Sequence, residues 1–169
     1  ENLVTDLSRF PAAVADILKI ADIPALYSHQ AEGIEKILAG ENVVIATPTA
    51  SGKTLVYNAP VLTRLMEDQT GHALYIFPLK ALEQDQFNEL LTLIEALDCG
   101  LSADIYDGDT TAHRRKKIRA NPPNVLITTP DMLHAGLLAF HEAWADFFSN
   151  LKFVVIDELH NYSGVFGSH

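Results

Sequence analysis

Three consecutive residues, Gly52, Lys53 and Thr54, combine a flexible backbone, a full positive charge and a hydroxyl, and residues 47–51 connect them to the apolar residues 43–46. The apolar run predicts a buried strand, and the Gly-Lys-Thr ending predicts a loop that enters a helix. Exposed N–H groups at a helix N-terminus hold phosphate oxygens, and a lysine there adds a full charge. We therefore predict a phosphate-binding loop that comprises Thr49, Ala50, Ser51, Gly52, Lys53 and Thr54.

The same loop offers a magnesium ligand, because the Thr54 hydroxyl follows the lysine as it does in loops that hold Mg²⁺. One position departs from the general pattern, since Thr47 stands where glycine is usual. A Gly-Lys-Thr sequence also occurs by chance in ordinary turns between a strand and a helix, and that alternative stays open for the loop taken alone.

Two adjacent acids, Asp157 and Glu158, lie at the carboxyl end of a second predicted strand, residues 153–157. In an open parallel sheet, ligands bind beyond the carboxyl ends of the strands, so Asp157 and Lys53 can meet although they are far apart in the chain. Asp157 would then hold magnesium, and Glu158 would orient and deprotonate the attacking water. The alternative is a solvated acidic cap on a strand.

The length of 169 residues and the hydrophobic content of 48% fit one folded domain with a proper core. No apolar run approaches the roughly 20 residues that span a bilayer, and no signal sequence is evident, so we expect a soluble, cytoplasmic protein without membrane contact. The one cysteine, Cys99, excludes an intramolecular disulfide and fits a reducing compartment. The chain runs from Glu1 to His169, and we expect both ends to be cut from a longer protein.

The net charge of −10 argues against a protein that coats nucleic acid by bulk electrostatics. Positive charge is nevertheless concentrated in one segment. Five of the 12 lysines and arginines lie there: Arg114, Arg115, Lys116, Lys117 and Arg119. This basic run either forms a solvated helix face or contacts nucleic acid, and the sequence leaves both interpretations open.

Residues 1–40 carry a helical pattern. Pro11 suits a first helical position, and apolar residues recur at helical spacing to about residue 21. Ser28 is a candidate N-cap for a second helix, which Gly40 would end. The helix that follows Thr54 contains Pro60, which predicts a kink or a local break.

Beyond the loop, apolar strands alternate with helical segments. The predicted strands are residues 73–77, 102–106, 125–128 and 153–157. The predicted helices are residues 79–97, residues 112–120 and a segment that starts at Pro130. Thr110 or Thr111 would cap the second of these and Thr129 the third. Short, non-alternating strands need cover on both sheet faces, so we predict an α/β fold with a doubly wound, mostly parallel sheet.

In their order and spacing, these motifs resemble those of the first RecA-like lobe of a superfamily-two helicase of the DEAD/DEAH-box type. The resemblance covers nearly the whole chain. Residues 46–54 resemble the phosphate loop of the family, in which threonine is tolerated at the first position. Residues 157–160 form its Asp-Glu-x-His box, and residues 162–169 are close to a signature of the narrower YprA/MrfA-like group of DNA helicases.

The resemblance implies further site residues. Gln30, in the motif at residues 27–30, would hydrogen-bond the adenine of ATP. Lys80 and Thr129, in two strand-contact motifs, would bind the backbone of single-stranded DNA. His160 would relay the nucleotide state toward the second lobe. Each also has an ordinary structural alternative: a solvent-facing helix residue, a surface lysine, a helix cap and a buried histidine, respectively.

By this resemblance, residues 1–40 form an N-terminal helical flank that carries the adenine motif, and residues 41–169 form a truncated first RecA-like lobe. The resemblance implies Mg-ATP as the cofactor, 3′ to 5′ travel and a role in DNA repair. It also implies that the second RecA-like lobe of the same protein is a partner, since that lobe supplies arginines worth about 10³ to 10⁵ in rate. The chain alone is therefore expected to bind ATP and to hydrolyse it poorly.

The leading interpretation is an ATP-dependent DNA helicase or translocase, represented by its first motor lobe. An RNA helicase is an alternative, although that group usually ends its acidic box in Asp where this chain has His160. A small-molecule kinase would share the phosphate loop but would not need the water-activating Glu158. A nucleotide-binding module that never hydrolyses ATP is the non-enzymatic alternative.

Overall fold

The computed structural model describes residues 2–46, 52–78 and 80–162. The chain divides into two compact units, which are Glu1–Asp68 with Leu93–Cys99, and Gln69–Thr92 with Gly100–His169. In its described residues, the first unit is mainly helical and the second contains a parallel sheet.

The first unit combines helices with one small antiparallel pair of strands. Strand β1 (Leu3–Val4) pairs with β2 (Leu26–Tyr27). The complete helices of this unit are α1 (Ala12–Ile20), α2 (Ser28–Leu38) and α3 (Lys53–Glu67). Val14, Ile17 and Leu18 of α1 are all buried, which confirms the amphipathic pattern predicted for this helix.

The two ends of α2 are set by one side chain and one glycine. Ser28 is the first helical residue rather than the predicted N-cap, and Tyr27 takes the cap position. The reason is Gln30, whose Oε1 accepts the Tyr27 backbone N–H at 2.9 Å. At the other end, Gly40 has a φ of 84° and its N–H donates to the Ile37 carbonyl at 3.0 Å. This left-handed end confirms the predicted helix stop.

Helix α3 continues through Pro60 as one element, so the predicted break does not occur there. Proline removes the N–H that would bond the carbonyl four residues back and costs a helix interior about 3 kcal/mol. Pro60 and its neighbours Ala59 and Val61 are all buried. Burial of the surrounding helix offsets the lost hydrogen bond, and the sequence pattern alone did not show this.

Residues 43–46 do not form the predicted buried strand, and this prediction is wrong. They belong to no regular element, and Val44 is 83% exposed. A strand forms only where a neighbouring strand satisfies its backbone hydrogen bonds. An apolar run shows the tendency to be buried but not whether such a neighbour is available.

The second unit contains a four-stranded parallel sheet. Its strands are β3 (His72–Ile76), β4 (Ala103–Tyr106), β5 (Val125–Thr128) and β6 (Leu151–Ile156). The strand order is β4-β5-β3-β6, and every neighbouring pair is parallel. These four strands were predicted within two residues at each end, and the α/β fold class with a parallel sheet is confirmed.

Strand β6 is less buried than its apolar sequence predicted. Val154 is 53% exposed and Ile156 is 48% exposed, and half-buried residues alternate with them. Successive side chains of a strand point to opposite faces, so one face of β6 is packed and the other is open. The end position of β6 in the described sheet accounts for this difference from the buried strands β3 and β5.

Side chains that follow β5 cover one face of the sheet. The α-helices of this part of the chain are α4 (Lys80–Leu97), α5 (Ala112–Ala120), α6 (Pro130–Met132) and α7 (Ala145–Ser149). Trp144 and Phe147 are fully buried with Leu74 of β3 and Tyr106 of β4 in one apolar core. The Trp144 indole N–H donates to the Gly136 carbonyl at 3.2 Å, so the ring is buried without an unmade hydrogen bond.

The register of the sheet brings the carboxyl ends of all four strands to one edge. Ile76 of β3 lies beside both Thr128 of β5 and Ile156 of β6, and Tyr106 of β4 also lies beside Thr128. The segments that leave these strands therefore begin at the same edge. They carry the candidate residues Lys80, Thr129, Asp157 and Glu158.

Candidate nucleotide and nucleic-acid sites

The end of the predicted phosphate-binding loop lies at the start of α3. Gly52 has a φ of 67°, in the left-handed region that favours glycine. Helix α3 begins at Lys53, and Thr54 is half-buried in its first turn. The first turn of a helix has N–H groups without partners inside the helix, and a helix end of this kind can bind phosphate. The other predicted loop residues lie outside the described residues: Thr47, Thr49, Ala50 and Ser51.

Gln30 joins the start of α2 to the end of this loop. Its side chain is buried, its Oε1 accepts from Tyr27 N–H at 2.9 Å, and its Nε2 donates to the Gly52 carbonyl at 3.5 Å. A Cβ added at Gly52 would lie only 2.5 Å from this Nε2. The structure therefore gives Gln30 a positioning role that sequence reasoning missed. Its contact with adenine remains a prediction.

Asp157 follows β6 directly at the carboxyl edge of the sheet. Its backbone N–H donates to the Ile76 carbonyl at 3.1 Å, which continues the pairing of β6 with β3 by one residue. Its Oδ1 accepts the Glu158 backbone N–H at 2.8 Å. These two bonds fix the direction in which the chain leaves the strand.

Glu158 holds a backbone conformation that is uncommon for a residue with a side chain. Its φ is 51° and its ψ is 44°, in the left-handed region, which costs roughly 1–2 kcal/mol for such a residue. Backbone strain of this kind is concentrated at functional sites. The Glu158 Oε2 lies 3.3 Å from Nδ1 of His160, whose side chain is 72% exposed. The structural alternative of a buried His160 is therefore wrong.

Tyr162 packs near the same edge, a role that sequence reasoning did not predict. Its phenol donates to the Ile76 carbonyl at 3.4 Å. Burial, together with the nearby charge of Asp157, raises the pKa of Tyr162 to about 12. The phenol therefore stays neutral and acts as a hydrogen-bond donor at the carboxyl end of β3.

The ammonium of Lys80 forms an ion pair with an acid. Its Nζ lies 2.7 Å from Oδ2 of Asp109, in the loop between β4 and α5. The hydrogen bond that Lys80 donates to Asp109 raises the pKa of Lys80, and the charges of Asp107 and Glu83 act in the same direction. A Cβ added at Gly108 would lie 3.6 Å from the ammonium, so this loop passes directly beside Lys80.

The loop that carries Asp109 is fixed by hydrogen bonds from both of its sides. The Asp107 carboxylate accepts the backbone N–H groups of Asp109 and Thr110 at 3.0 and 2.9 Å. From α5, Nη2 of Arg115 donates to the carbonyls of Asp107 and Gly108 at 2.8 and 3.2 Å. Asp109 therefore extends from a rigid turn, and its carboxylate is 80% exposed.

Glu83 is an unexpected buried acid one helical turn after Lys80. It is 1% exposed, and its Oε1 has no hydrogen-bond partner among the described residues. Burial and the neighbouring charge of Asp107 raise the pKa of Glu83 from 4.5 to about 7. A polar residue in a helical pattern usually faces water, so the sequence carried no signal for this position.

Thr129 and Thr128 bind the backbone at the carboxyl end of β5. Thr129 Oγ1 accepts the Met132 N–H at 3.4 Å, and Pro130 starts the helix, so the predicted cap is confirmed. Thr128 Oγ1 donates to the Tyr106 carbonyl at 2.6 Å. A capping role leaves the neighbouring helix N–H groups directed outward, where they can meet a phosphate.

Part of the basic run has structural partners. The Thr111 cap of α5 is confirmed, since its hydroxyl accepts the Arg114 N–H at 3.3 Å. Arg114 pairs with Asp104 at 2.5 Å, and Arg115 bonds to the carbonyls of the adjacent loop. Lys116 and Lys117 are exposed. The basic run therefore includes residues that hold the fold, and its contact with nucleic acid is untested.

The fold and the motif positions agree with a family assignment. The DEAD/DEAH box helicase family model matches residues 27–169, which is most of the chain. The chain therefore belongs to the DEAD/DEAH box helicase family, and the resemblance found in its motifs is confirmed. Among the described residues, no helix combines the length and apolar character needed to cross a membrane.

Two known proteins are similar to nearly the whole of this chain. A Bacillus subtilis (strain 168) protein named "Uncharacterized ATP-dependent helicase YprA" is 47% identical over 163 residues, which are 94% of this chain and 22% of that protein. The crystal structure of the DUF1998 helicase MrfA bound to DNA and AMPPNP is similar with a TM-score of 0.88 and 46% identity, over 95% of this chain and 22% of that chain.

A Mycobacterium smegmatis helicase is a more distant neighbour. The structure of this protein, Lhr, bound to ssDNA and AMP-PNP has a TM-score of 0.79 and 32% identity, over 92% of this chain and 21% of that chain. The chain spans about a fifth of the length of these three relatives.

The buried acid leads to a prediction about stability and pH. Because the pKa of Glu83 is raised in the folded protein, its contribution to stability is fully present below its ordinary pKa of 4.5 and is lost as the pH rises through about 7. A pKa difference of this size corresponds to roughly 3 kcal/mol of unfolding free energy. Glu83→Gln should flatten the decline of unfolding free energy between pH 5 and 8, measured by urea titration.

The matched control is Glu95→Gln, which removes an exposed carboxyl from the same helix. It should leave the pH dependence of the wild type unchanged. The comparison uses the slope with pH rather than the stability at one pH, because a buried glutamine amide has its own hydrogen-bonding cost. Equal slopes for wild type and Glu83→Gln would contradict the raised pKa.

Proposed function

We propose that this chain is the first motor lobe of an ATP-dependent DNA helicase or translocase, which binds Mg-ATP and contacts the backbone of single-stranded DNA. The observation that carries the proposal is the start of α3, where a left-handed Gly52 precedes a helix that begins with Lys53 and Thr54. This arrangement is suited to phosphate binding within a family of helicases.

The relatives support both ligands. Those in the two solved structures are named as bound to DNA or ssDNA and to an ATP analogue, at 46% and 32% identity to this chain. We propose the same ligand classes for this chain. The protein as a whole would act in the cytoplasm and in DNA repair, with the second RecA-like lobe as its partner within the same protein. Residues 1–40 would serve as its helical flank and residues 41–169 as its first lobe.

On the nucleotide side, we propose that residues 49–54 hold the phosphates through backbone N–H groups and that Lys53 supplies the positive charge. Gln30 would bind the adenine edge, since its amide offers one donor and one acceptor. The same amide also holds Gly52, so one side chain would connect base recognition to the phosphate loop.

We propose that the bound nucleotide is accompanied by a magnesium ion. Thr54 and Asp157 offer hydroxyl and carboxylate oxygens, the hard ligands that Mg²⁺ prefers, and Mg²⁺ usually takes only one or two carboxylates together with substrate phosphates. In residues 2–46, 52–78 and 80–162, no group of three or more His, Cys, Asp or Glu side chains could hold a metal by itself. Bound magnesium would neutralise charge that develops on the phosphates.

For hydrolysis, we propose that Glu158 accepts the proton of the water that attacks the terminal phosphorus. Its strained backbone directs the side chain, and His160 lies within reach of its carboxylate at 3.3 Å. His160 would pass the state of Glu158 toward the second lobe. The isolated chain would hydrolyse ATP poorly, because arginines of the second lobe contribute about 10³ to 10⁵ in rate.

For DNA, we propose that Lys80 and Thr129 bind phosphates of a single strand. Both residues follow strands whose carboxyl ends share one edge of the sheet. Contacts of this kind position a strand without reading its sequence. The net charge of −10 leaves little non-specific attraction to add, so binding by the chain alone should be weak.

The nucleotide site can be tested with Lys53→Ala. We expect this change to remove most of the affinity for a fluorescent ATP analogue, because it deletes the full charge beside the phosphates. Lys36→Ala is the matched control, since it removes an exposed lysine from α2 of the same unit. Equal affinity of the Lys53→Ala protein and the control would contradict the assignment.

The hydrolytic step can be tested with Glu158→Gln in the complete protein. We expect turnover to fall by roughly 10² or more with ATP binding nearly intact, because a general base contributes about this much. Asp157→Asn should instead weaken the magnesium-dependent part of binding, measured with and without Mg²⁺. Glu142→Gln removes an exposed carboxyl elsewhere and should leave turnover unchanged. Normal turnover by Glu158→Gln would place the base at another residue.

The two roles of Gln30 can be separated with Gln30→Ala. If Gln30 reads the base, the preference for ATP over GTP should narrow, since guanine presents a different donor and acceptor pattern. If it only holds Gly52, affinity for both nucleotides should fall equally and the melting temperature should fall with it. The measurement is the ratio of the two Kd values, so an unchanged ratio would refute the adenine contact.

A further inference from the structure

The ammonium of Lys80 already has an anionic partner. Asp109 Oδ2 lies 2.7 Å from Nζ, and the two side chains are 52% and 80% exposed. Both are therefore open to a third charged group from solution. Carboxylate and phosphate oxygens are the same kind of anionic acceptor for an ammonium, so Asp109 holds the place that a phosphate of DNA would take.

The position of Asp109 is set by its loop. Asp107 accepts two backbone N–H groups of the turn, and Arg115 holds two of its carbonyls from α5. The Arg115 guanidinium also lies over the ring of Tyr106 at 5.6 Å from the ring centre. An exposed ion pair usually contributes little, because holding two side chains in one geometry costs entropy. Asp109 comes from an ordered turn, so this cost is smaller here.

We propose that Asp109 is an internal competitor for Lys80, so that a DNA phosphate binds this lysine only by displacing the Asp109 carboxylate. The inference rests on the proposed DNA contact of Lys80. It makes Asp109 a residue that determines which anions bind at this contact. A phosphate that the rest of a DNA strand holds in place can displace the carboxylate. An isolated anion gains too little binding free energy from Lys80 to do so.

The acids around the Lys80–Asp109 ion pair also make it harder for an isolated anion to bind Lys80. Two further acids act on Lys80: Glu83 from its own helix and Asp107 from the facing loop. From α5, Arg115 reaches this loop, and its guanidinium is engaged with backbone carbonyls. Asp109 and Asp107 thus place negative charge around one ammonium, and this charge opposes the approach of a phosphate.

The test measures the affinity of the full chain for a fluorescein-labelled single-stranded oligonucleotide by anisotropy at low salt. Asp109→Asn keeps the size of the side chain and removes its charge, and should tighten binding by about two- to fivefold, the range expected for an exposed ion pair. Lys80→Ala should weaken binding. In the Lys80→Ala background, Asp109→Asn should have no effect beyond that of the control.

The control is Asp85→Asn, which removes one negative charge from an exposed position of α4. It measures how much the affinity for the oligonucleotide rises simply because the protein carries one negative charge fewer. Asp109 is exposed and its side chain is not part of the core, so its variant is expected to fold, and circular dichroism checks this.

The outcomes distinguish the inference from the proposed function. If Lys80→Ala weakens binding but Asp109→Asn changes it no more than Asp85→Asn does, the competitor role is wrong and the Lys80 contact stands. If Asp109→Asn tightens binding equally with and without Lys80, the gain is general electrostatics and the competitor role is also wrong. If Lys80→Ala has no effect, the proposed DNA contact itself fails.

Discussion

Parallel pairing of backbone strands is the constraint on which the candidate sites of the second unit depend. Because β3, β4, β5 and β6 run in the same direction and in register, the segments that leave them start at one edge of the sheet. Side chains from four separate parts of the chain thereby come to one edge. The apolar core around Trp144 and Phe147 stabilises this register by packing against the strands.

Local backbone geometry then directs individual groups. Gly52 and Glu158 both have positive φ, and each lies at the start of a helix or turn that carries candidate residues. Glycine adopts this conformation at little cost, whereas Glu158 does so against roughly 1–2 kcal/mol. A strained residue must be held by its surroundings, here by the hydrogen bond from its own N–H to Asp157.

The edge of the sheet near Lys80 is not a simple basic surface, because acids lie around the lysine. A lysine with a raised pKa, a buried Glu83 with a raised pKa and the exposed Asp109 lie within one helix start and one loop. In a protein of net charge −10, such a group does not attract polyanions from a distance. The proposed competition between Asp109 and a DNA phosphate depends on this arrangement.

The sequence by itself determined the elements whose signals are local. Helical spacing in α1, the glycine end of α2, the Thr129 cap and four apolar strands follow from the preferences of neighbouring residues, and the family motifs follow from their order. Tertiary structure decided what depends on distant partners. Residues 43–46 did not become a strand, β6 remained half-open, Gln30 reached Gly52, and Glu83 was buried beside Asp107. Hydrogen-bond partners, cover from other elements and the dielectric around a carboxyl are properties of the folded chain, and a linear pattern does not contain them.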